Sequence, residues 1–195
     1  MSLRLAVKEW AGVIQALGAG DQILLIRKYE PEQKSFLLYP TYSYYTQDKS
    51  NPERFDSKFQ QKYLKTARDA ALAELEQSDI VKLRYLFEVD KTVSVPKDFP
   101  VNKITPFMIW SSEHVAGYAE KAYAGLSIWI GRTKKLTEPI LAARQTTGGS
   151  ITTYKHFEDF KVSGAALVIP EQQYEEKRDK LIDSINATAK KSVAR

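Results

Sequence analysis

Few side chains in this 195-residue chain are of a kind and spacing that do covalent chemistry. Cysteine is absent, which removes disulfides, thiolate metal sites, iron–sulfur clusters and cysteine nucleophiles. The two histidines, His114 and His156, stand far apart with no His-Glu-x-x-His spacing, so no metal site is expected. There is no Gly-x-Ser-x-Gly elbow, no Walker sequence and no Gly-x-Gly-x-x-Gly turn, so neither a serine hydrolase nor a nucleotide cofactor is expected. An acid two residues before a lysine occurs at Glu32, Asp56, Asp159 and Glu175, about as often as chance allows. A metal-dependent nuclease needs positioned partner acids as well, and none is evident. One group stands out for acid–base work. His114 follows Glu113 on a predicted first helical turn, and a neighbouring carboxylate can orient an imidazole.

Binding chemistry has more to work with. The net charge is +5, from 29 basic and 24 acidic residues. Residues 121–155 hold Lys121, Arg132, Lys134, Lys135, Arg144 and Lys155 against Glu138 alone. A local excess of this kind attracts polyanions, although a solvated basic edge has the same composition. Between Arg144 and Lys155 lies the pair Gly148-Gly149, flanked by threonines and Ser150, which reads as an anion cradle or as a plain hairpin tip. Tyr39, Tyr42, Tyr44 and Tyr45 crowd into YPTYSYY, and alternation puts Tyr42 and Tyr44 on one face. Exposed rings stack on bases, and buried ones pack a core. Trp129 falls within the basic window, opposite a Leu126–Ile128–Ile130 face.

The elements that must position these groups follow from periodicity. Leu3, Val7, Trp10, Ile14 and Leu17 recur at steps of three and four, which predicts a helix over 3–17 ended by Gly18 and Gly20. QILLIRKY and FLLYPTYSYY predict two strands of a hairpin, with Pro40 marking an end, a bulge or an edge. Residues 51–77 predict the longest helix, capped by Asn51. Its Phe55, Phe59, Tyr63 and Ala67 repeat every four residues, a spacing that drifts about 40° per step, so the helix must bend or its apolar face must wrap. Residues 80–95 alternate as a strand, with Leu86 out of phase and a bulge or turn expected near Asp90-Lys91. Pro96, Pro100 and Pro106 mark an irregular connection over 96–108. Ser111 or Ser112 caps a helix to about Tyr123, LSIWIGR and PILAAR follow as apolar runs, AALVI predicts a short buried strand, and Pro170 opens a last helix. The expected fold class is α+β, a mixed and largely antiparallel sheet with an N-terminal helix, a long helix and a C-terminal helix. One domain over 1–195 is expected, because neither side of the 96–108 connection closes a core alone.

Three segments carry a resemblance. LAVKEWAGVIQALGAGDQILLIRKYE, FLLYPTY, and FMIWSSEHV with LSIWIGRTKKLTEP together resemble the bacterial and archaeal family called domain of unknown function 1802, over about residues 3–140. The Lys8-Glu9-Trp10 start, the Ile26-Arg27-Lys28 strand and the Leu38-to-Tyr42 strand are its most specific parts. This chain departs from the family in Tyr29-Glu30, where relatives tend to carry glycines, and in Met108-Ile109, where they tend to carry a histidine. The resemblance implies a compact intracellular domain and one neighbourhood for Glu9, Arg27, Lys28, Tyr39 and Tyr42. It carries over no reaction.

The leading expectation is a cytoplasmic module that binds a polyanion, most plausibly nucleic acid, through Arg132, Lys134, Lys135, Arg144, Lys155 and Arg27 with Tyr42 and Tyr44 as stacking rings. The alternative is an enzyme on a small phosphorylated or nucleotide ligand, with Glu9, Arg27 and Lys28 in a cleft, the cations holding an anion and Glu9 acting as base. Adjacent strand residues point to opposite faces, so Arg27 and Lys28 are not expected to line one pocket together. A structural or oligomer-forming protein is the third class. No stretch is apolar enough to span a bilayer, so no membrane partner is expected.

Overall fold

The computed structural model describes residues 2–3, 5–42, 54–66, 79–144, 151–153, 160–162 and 164–192. The strands are β1 (Ser2–Leu3), β2 (Leu5–Trp10), β3 (Leu24–Arg27), β4 (Ser35–Thr41), β5 (Ile80–Val95), β6 (Leu126–Ala143), β7 (Ile151–Thr153), β8 (Phe160–Lys161) and β9 (Ala165–Leu167). The helices are α1 (Ala11–Gly18), α2 (Ser57–Phe59), a π-helical stretch Gln60–Thr66 that continues it, α3 (Ser112–Glu120) and α4 (Glu171–Ser192). The main sheet has the order β3-β6-β5-β4-β2-β7, with β9 added to β6, while β1 pairs β8 separately. Every pairing in the main sheet is antiparallel except β2 with β4. The fold is therefore α+β with a mixed, largely antiparallel sheet.

The long β5–β6 pair is the spine, and its register shifts twice, between Leu83 and Tyr85 and between Val89 and Lys91. The second shift is the irregularity expected at Asp90-Lys91. The first explains why Leu86 is out of phase. β5 advances two residues there, from Leu83 to Tyr85, while β6 advances five, from Ile140 to Lys135, and across this break Leu86 joins Val81 and Leu83 in one apolar cluster while Phe87 and Val89 enter another. Gly131 stands opposite Val89 in the register, and a Cβ there would collide with the Glu88 carbonyl and the Phe87 ring. Bulges add twist and bend a sheet. The bend is large here. β2 and β3 are four steps apart in strand order, about 19 Å in a flat sheet at ~4.8 Å per step, yet Arg27 and Glu9 of these strands meet at 2.9 Å. The five strands therefore curl until the first and fifth face each other across a seam. Phe36 of β4 and Trp129 of β6 touch across the intervening β5, with ring centroids 5.6 Å apart. The larger cluster, fed by all five strands, fills the concave side.

Three local expectations change. The stripe over 3–17 is a helix only from Ala11; Leu5–Trp10 is a strand that pairs β4 in parallel. Ala6 and Val7 are both buried, in different clusters, because both faces of β2 are covered. A strand buried on both faces loses its alternation, and its apolar residues then mimic helical spacing. The predicted hairpin does not form, since β3 pairs β6 and β4 pairs β2 and β5. Pro40 lies opposite Glu9 on the β2 side, beyond the last β5 pairing at Leu37, so its missing N–H costs no antiparallel bond. AALVI forms β9 at the sheet margin with Leu167 exposed, not a buried strand.

The remaining elements follow their sequence signals. Gly20, at φ +72°, ends α1 in the left-handed conformation, and its N–H bonds the Leu17 carbonyl. Ser111 caps α3 by accepting the His114 N–H. The segment 101–107 forms two 3-10 turns, and Ile104, Met108 and Ile109 beside them are fully buried in the larger cluster. Of the predicted long helix, α2 and the π-helical stretch are described, and residues 67–77 lie outside the described residues. The wider π turn pulls four-residue repeats back toward one face, which lets Tyr63 and Phe59 meet at 5.8 Å. Tyr63 and Lys62 reach Asp21 at 2.5 and 2.7 Å and dock this stretch beyond the end of α1.

α4 is held by charge as well as apolar burial. Arg132 pairs with Glu171 through Nε at 2.9 Å and with Asp90 at 3.2 Å, and its guanidinium lies 4.3 Å above the Tyr174 ring. Asp90 also accepts from Tyr174 at 3.1 Å and Arg178 at 3.3 Å. Burial works to raise the Asp90 pKa, but hydrogen bonds from Arg132, Tyr174 and Arg178 and the Arg132 charge hold it below the usual carboxylate range. A carboxylate with a depressed folded pKa stabilises the fold above its unfolded value, about 3.9, and that contribution is lost as pH falls through the folded value. Asp90→Asn is expected to cost about 1–3 kcal/mol at neutral pH and to flatten the acid limb of the stability curve below pH ~4, as read by urea unfolding at stepped pH.

Candidate functional site

The seam between β2 and β3 opens into a cleft of about 230 Å³. Glu9 and Lys8 come from β2, Arg27 from β3, and Trp110, His114 and Tyr118 from α3 and the segment before it. Each is delivered by a local rule. Arg27 ends a strand whose four residues are all buried, so its side chain runs inward and not into water. Trp110 pairs with Phe55 in an isolated bridge just before the Ser111 cap, and His114 sits one helical turn later on the same face. The Trp110 and His114 rings are 4.4 Å apart. Phe55 stacks on Trp110 at 5.0 Å, and Trp10 closes the group at 4.8 Å from Phe55. The Trp10 ring lies over Gly12, where any Cβ would strike it.

The floor is a buried ion pair. Glu9 and Arg27 side chains are only 12% and 8% exposed, and Arg27 Nη1 lies 2.9 Å from Glu9 Oε2. Glu9 Oε1 accepts the Trp10 backbone N–H at 2.7 Å. Arg27 donates further to the Ile26 carbonyl at 2.8 Å and to the Lys8 carbonyl at 3.4 Å, and its guanidinium faces the Trp129 ring at 5.6 Å. Its Nε is buried without a hydrogen-bond partner among the described residues. Burial disfavours the Arg27 charge, and the Glu9 carboxylate more than restores it, so its pKa lies above the ordinary value. Beside this pair, Gln22 is fully buried and used on both ends, donating to the Leu24 carbonyl and accepting the Ile109 N–H.

His114 stays neutral at physiological pH. Burial first, then the positive charges of Arg54 and Lys121, push its pKa down to about 4. The second cause is also a measure of the cleft's surroundings: a histidine at its wall feels a positive field. Among the described residues no group of three or more His, Asp or Glu side chains is arranged to hold a metal ion, and no helix is long and apolar enough to cross a membrane.

The structure thus brings Glu9, Arg27 and His114 together, with Lys121 of the basic window acting on His114, and engages Arg132, Lys134 and Arg144 elsewhere. Lys28, just beyond the end of β3, does not line the cleft but lies over the ring of Tyr118, which does, at 4.6 Å. Arg132 is consumed by Asp90 and Glu171, and Lys134 by Glu88 at 2.8 Å. Arg144 sits 4.0 Å from Asp79. Lys135 is exposed on the opposite face of β6 from Lys134. Trp129 is buried, with its Nε1 bonded to the Tyr29 carbonyl and to Ser127, so it is a core ring and not a stacking platform. Tyr39 is buried and Tyr42 half-buried against the larger cluster. Tyr44, Lys155 and the Gly148-Gly149 turn lie outside the described residues. Trp10, Trp110 and Tyr118 are the site residues the sequence reading missed. The four-residue step from Trp110 to His114 at a helix start was the available signal.

The family profile of the Domain of unknown function (DUF1802) matches residues 6–180. The chain belongs to that family. No curated protein matches it in sequence. Among solved structures, crystal structures of ASCH from Zymomonas mobilis are similar in outline. The ASCH protein itself is 10% identical over 92% of this chain and 93% of its own, with a TM-score of 0.44. A mutant of it is 9% identical over 92% and 98%, with a TM-score of 0.45.

Two measurements check this geometry. Breaking a buried pair from one side leaves an uncompensated charge, so Glu9→Gln or Arg27→Met alone is expected to cost about 3–5 kcal/mol. In a double-mutant cycle the two should couple by more than about 1 kcal/mol. Additive losses would mean that the pair does not hold the seam. For His114, the ring C–H resonances are expected to titrate near pH 4 by NMR. Replacing Arg54 or Lys121 with a neutral residue should raise that value. Because the folded pKa is depressed, the histidine opposes stability as pH falls from about 6.5 toward 4.

Proposed function

We propose that this chain is a nucleic-acid-binding module whose seam cleft receives one unstacked base while phosphates lie along a cationic rim. The observation that carries this reading is the separation of charge at the cleft. Its floor is an ion pair, Glu9 with Arg27, that sums to zero. Two cations stand on the His114 side of the cleft: Arg54, whose carbonyl takes the Ser111 N–H, and Lys121, at the C-terminal end of α3. A phosphate on the floor would meet a carboxylate and an arginine already engaged, and would gain little. A flat, neutral heterocycle fits better, because the walls offer aromatic rings and the floor offers polar atoms. The volume agrees, since about 230 Å³ equals roughly eight water-sized volumes of ~30 Å³ each, enough for one base but not a base pair. The same floor argues against a small phosphorylated substrate held by Arg27.

Nucleic-acid affinity built on phosphate contacts falls with salt. Labelled single-stranded and duplex RNA and DNA are titrated by fluorescence anisotropy at about 50 and 200 mM salt. Binding of single strands at low salt is expected to weaken clearly at the higher concentration. Neutralising Arg54 and Lys121 together should lower affinity several-fold and reduce the salt slope by about one unit per lost phosphate contact. Absence of binding at low salt, or binding indifferent to salt, overturns the reading.

A further inference from the structure

The floor of the cleft also specifies which base it would read. An ionised carboxylate has roughly four acceptor positions. In Glu9, Oε1 already takes the Trp10 N–H and Oε2 takes Arg27 Nη1. About one position remains on each oxygen. One open acceptor on each oxygen is met by a ligand edge that carries two N–H donors. Among the four common bases only guanine presents two adjacent donors, N1–H and N2–H, on its Watson–Crick edge. Adenine and cytosine present one donor beside one acceptor, and uracil presents one donor between two acceptors. The guanidinium of Arg27, next to the carboxylate, suits the O6 acceptor that neighbours N1–H.

We propose that Glu9, oriented by Arg27, is a specificity-determining residue that reads the Watson–Crick edge of an unpaired guanine. This rests on the nucleic-acid reading above and adds the chemical identity of the base. The energetic logic is the asymmetry of buried polar groups. Once a base enters and displaces water, an acceptor left without a donor costs the full desolvation of that position. Discrimination therefore comes from the wrong base leaving Glu9 unsatisfied, a mode in which a single missing donor is strongly rejected. The pair also explains why the carboxylate serves as a reader. Arg27 holds it fixed through Oε2, and the Trp10 N–H holds Oε1.

The test uses the full chain and a short oligouridine strand carrying one central nucleoside, with affinities read by fluorescence anisotropy at low salt. Guanosine is expected to bind about tenfold or more tighter than inosine, which lacks the N2 donor, because one buried acceptor goes unpaired. Guanosine should exceed 1-methylguanosine and adenosine by a larger factor. Glu9→Gln, checked for folding by circular dichroism, is expected to bring the guanosine-to-inosine ratio to near one. If the variant does not fold, the nucleoside series on the unaltered chain still decides. Equal affinity for guanosine, inosine and adenosine, or a preference for adenosine, with salt-sensitive binding intact overturns the guanine proposal and leaves the nucleic-acid reading standing. Failure of every strand to bind at low salt overturns both.

Discussion

The contact between Arg27 and Glu9 is the constraint on which the architecture turns. Side chains from the first and fifth strands of an ordered sheet can meet at 2.9 Å only if that sheet is rolled. Desolvating two charges is costly, and two apolar residues of similar size would close the seam at least as well for stability. The polar choice therefore has to be explained by something besides folding. What it supplies is a neutral, hydrogen-bonding surface at the bottom of the seam cleft. Strand, seam and cleft are in this sense a single feature viewed at three scales.

Rolling depends in turn on where β5 and β6 break register. Two shifts within sixteen residues divide β5 into three runs with different facing patterns. The run through Phe87 and Val89 faces the larger cluster, while Val81, Leu83 and Leu86 serve the smaller one. Asp90 falls at the second break, where an unpaired stretch of backbone frees its side chain to collect Arg132, Arg178 and Tyr174. The irregularity that bends the sheet thus also makes the anchor for the C-terminal helix.

Much of this was legible in the residues themselves. The alternation of β5 and the break near Asp90, the Ser111 cap and the stop at Gly20 are local effects of few residues, and local rules describe them. β2 was not legible, because a strand covered on both faces shows no period-two signal. The absent hairpin had the same kind of cause: β3 and β4 are neighbours in sequence, but each has a longer partner in the β5–β6 spine. Of the site, Glu9 and Arg27 came to notice through the family resemblance and not through spacing, since 18 residues separate them. The aromatic wall was hidden because Trp10, Phe55 and Trp110 converge from three distant segments. Composition misled most at the basic window. Counting charges along the chain cannot see that Arg132 and Lys134 meet acids far away in sequence.

That last point bears on how a modest positive charge should be read. An arginine held by two carboxylates contributes a fold contact and little long-range field, so the net charge overstates the available footprint. The useful quantity is which cations remain to act on a given place. At the cleft the answer is visible in His114, whose protonation is disfavoured by Arg54 and Lys121 even after burial has taken its share. Arg54 and Lys121 both act on the imidazole, beside a floor whose own charges cancel. A ligand that is anionic along its length and neutral at its side groups matches both parts of that pattern, and a compact anion matches only the first.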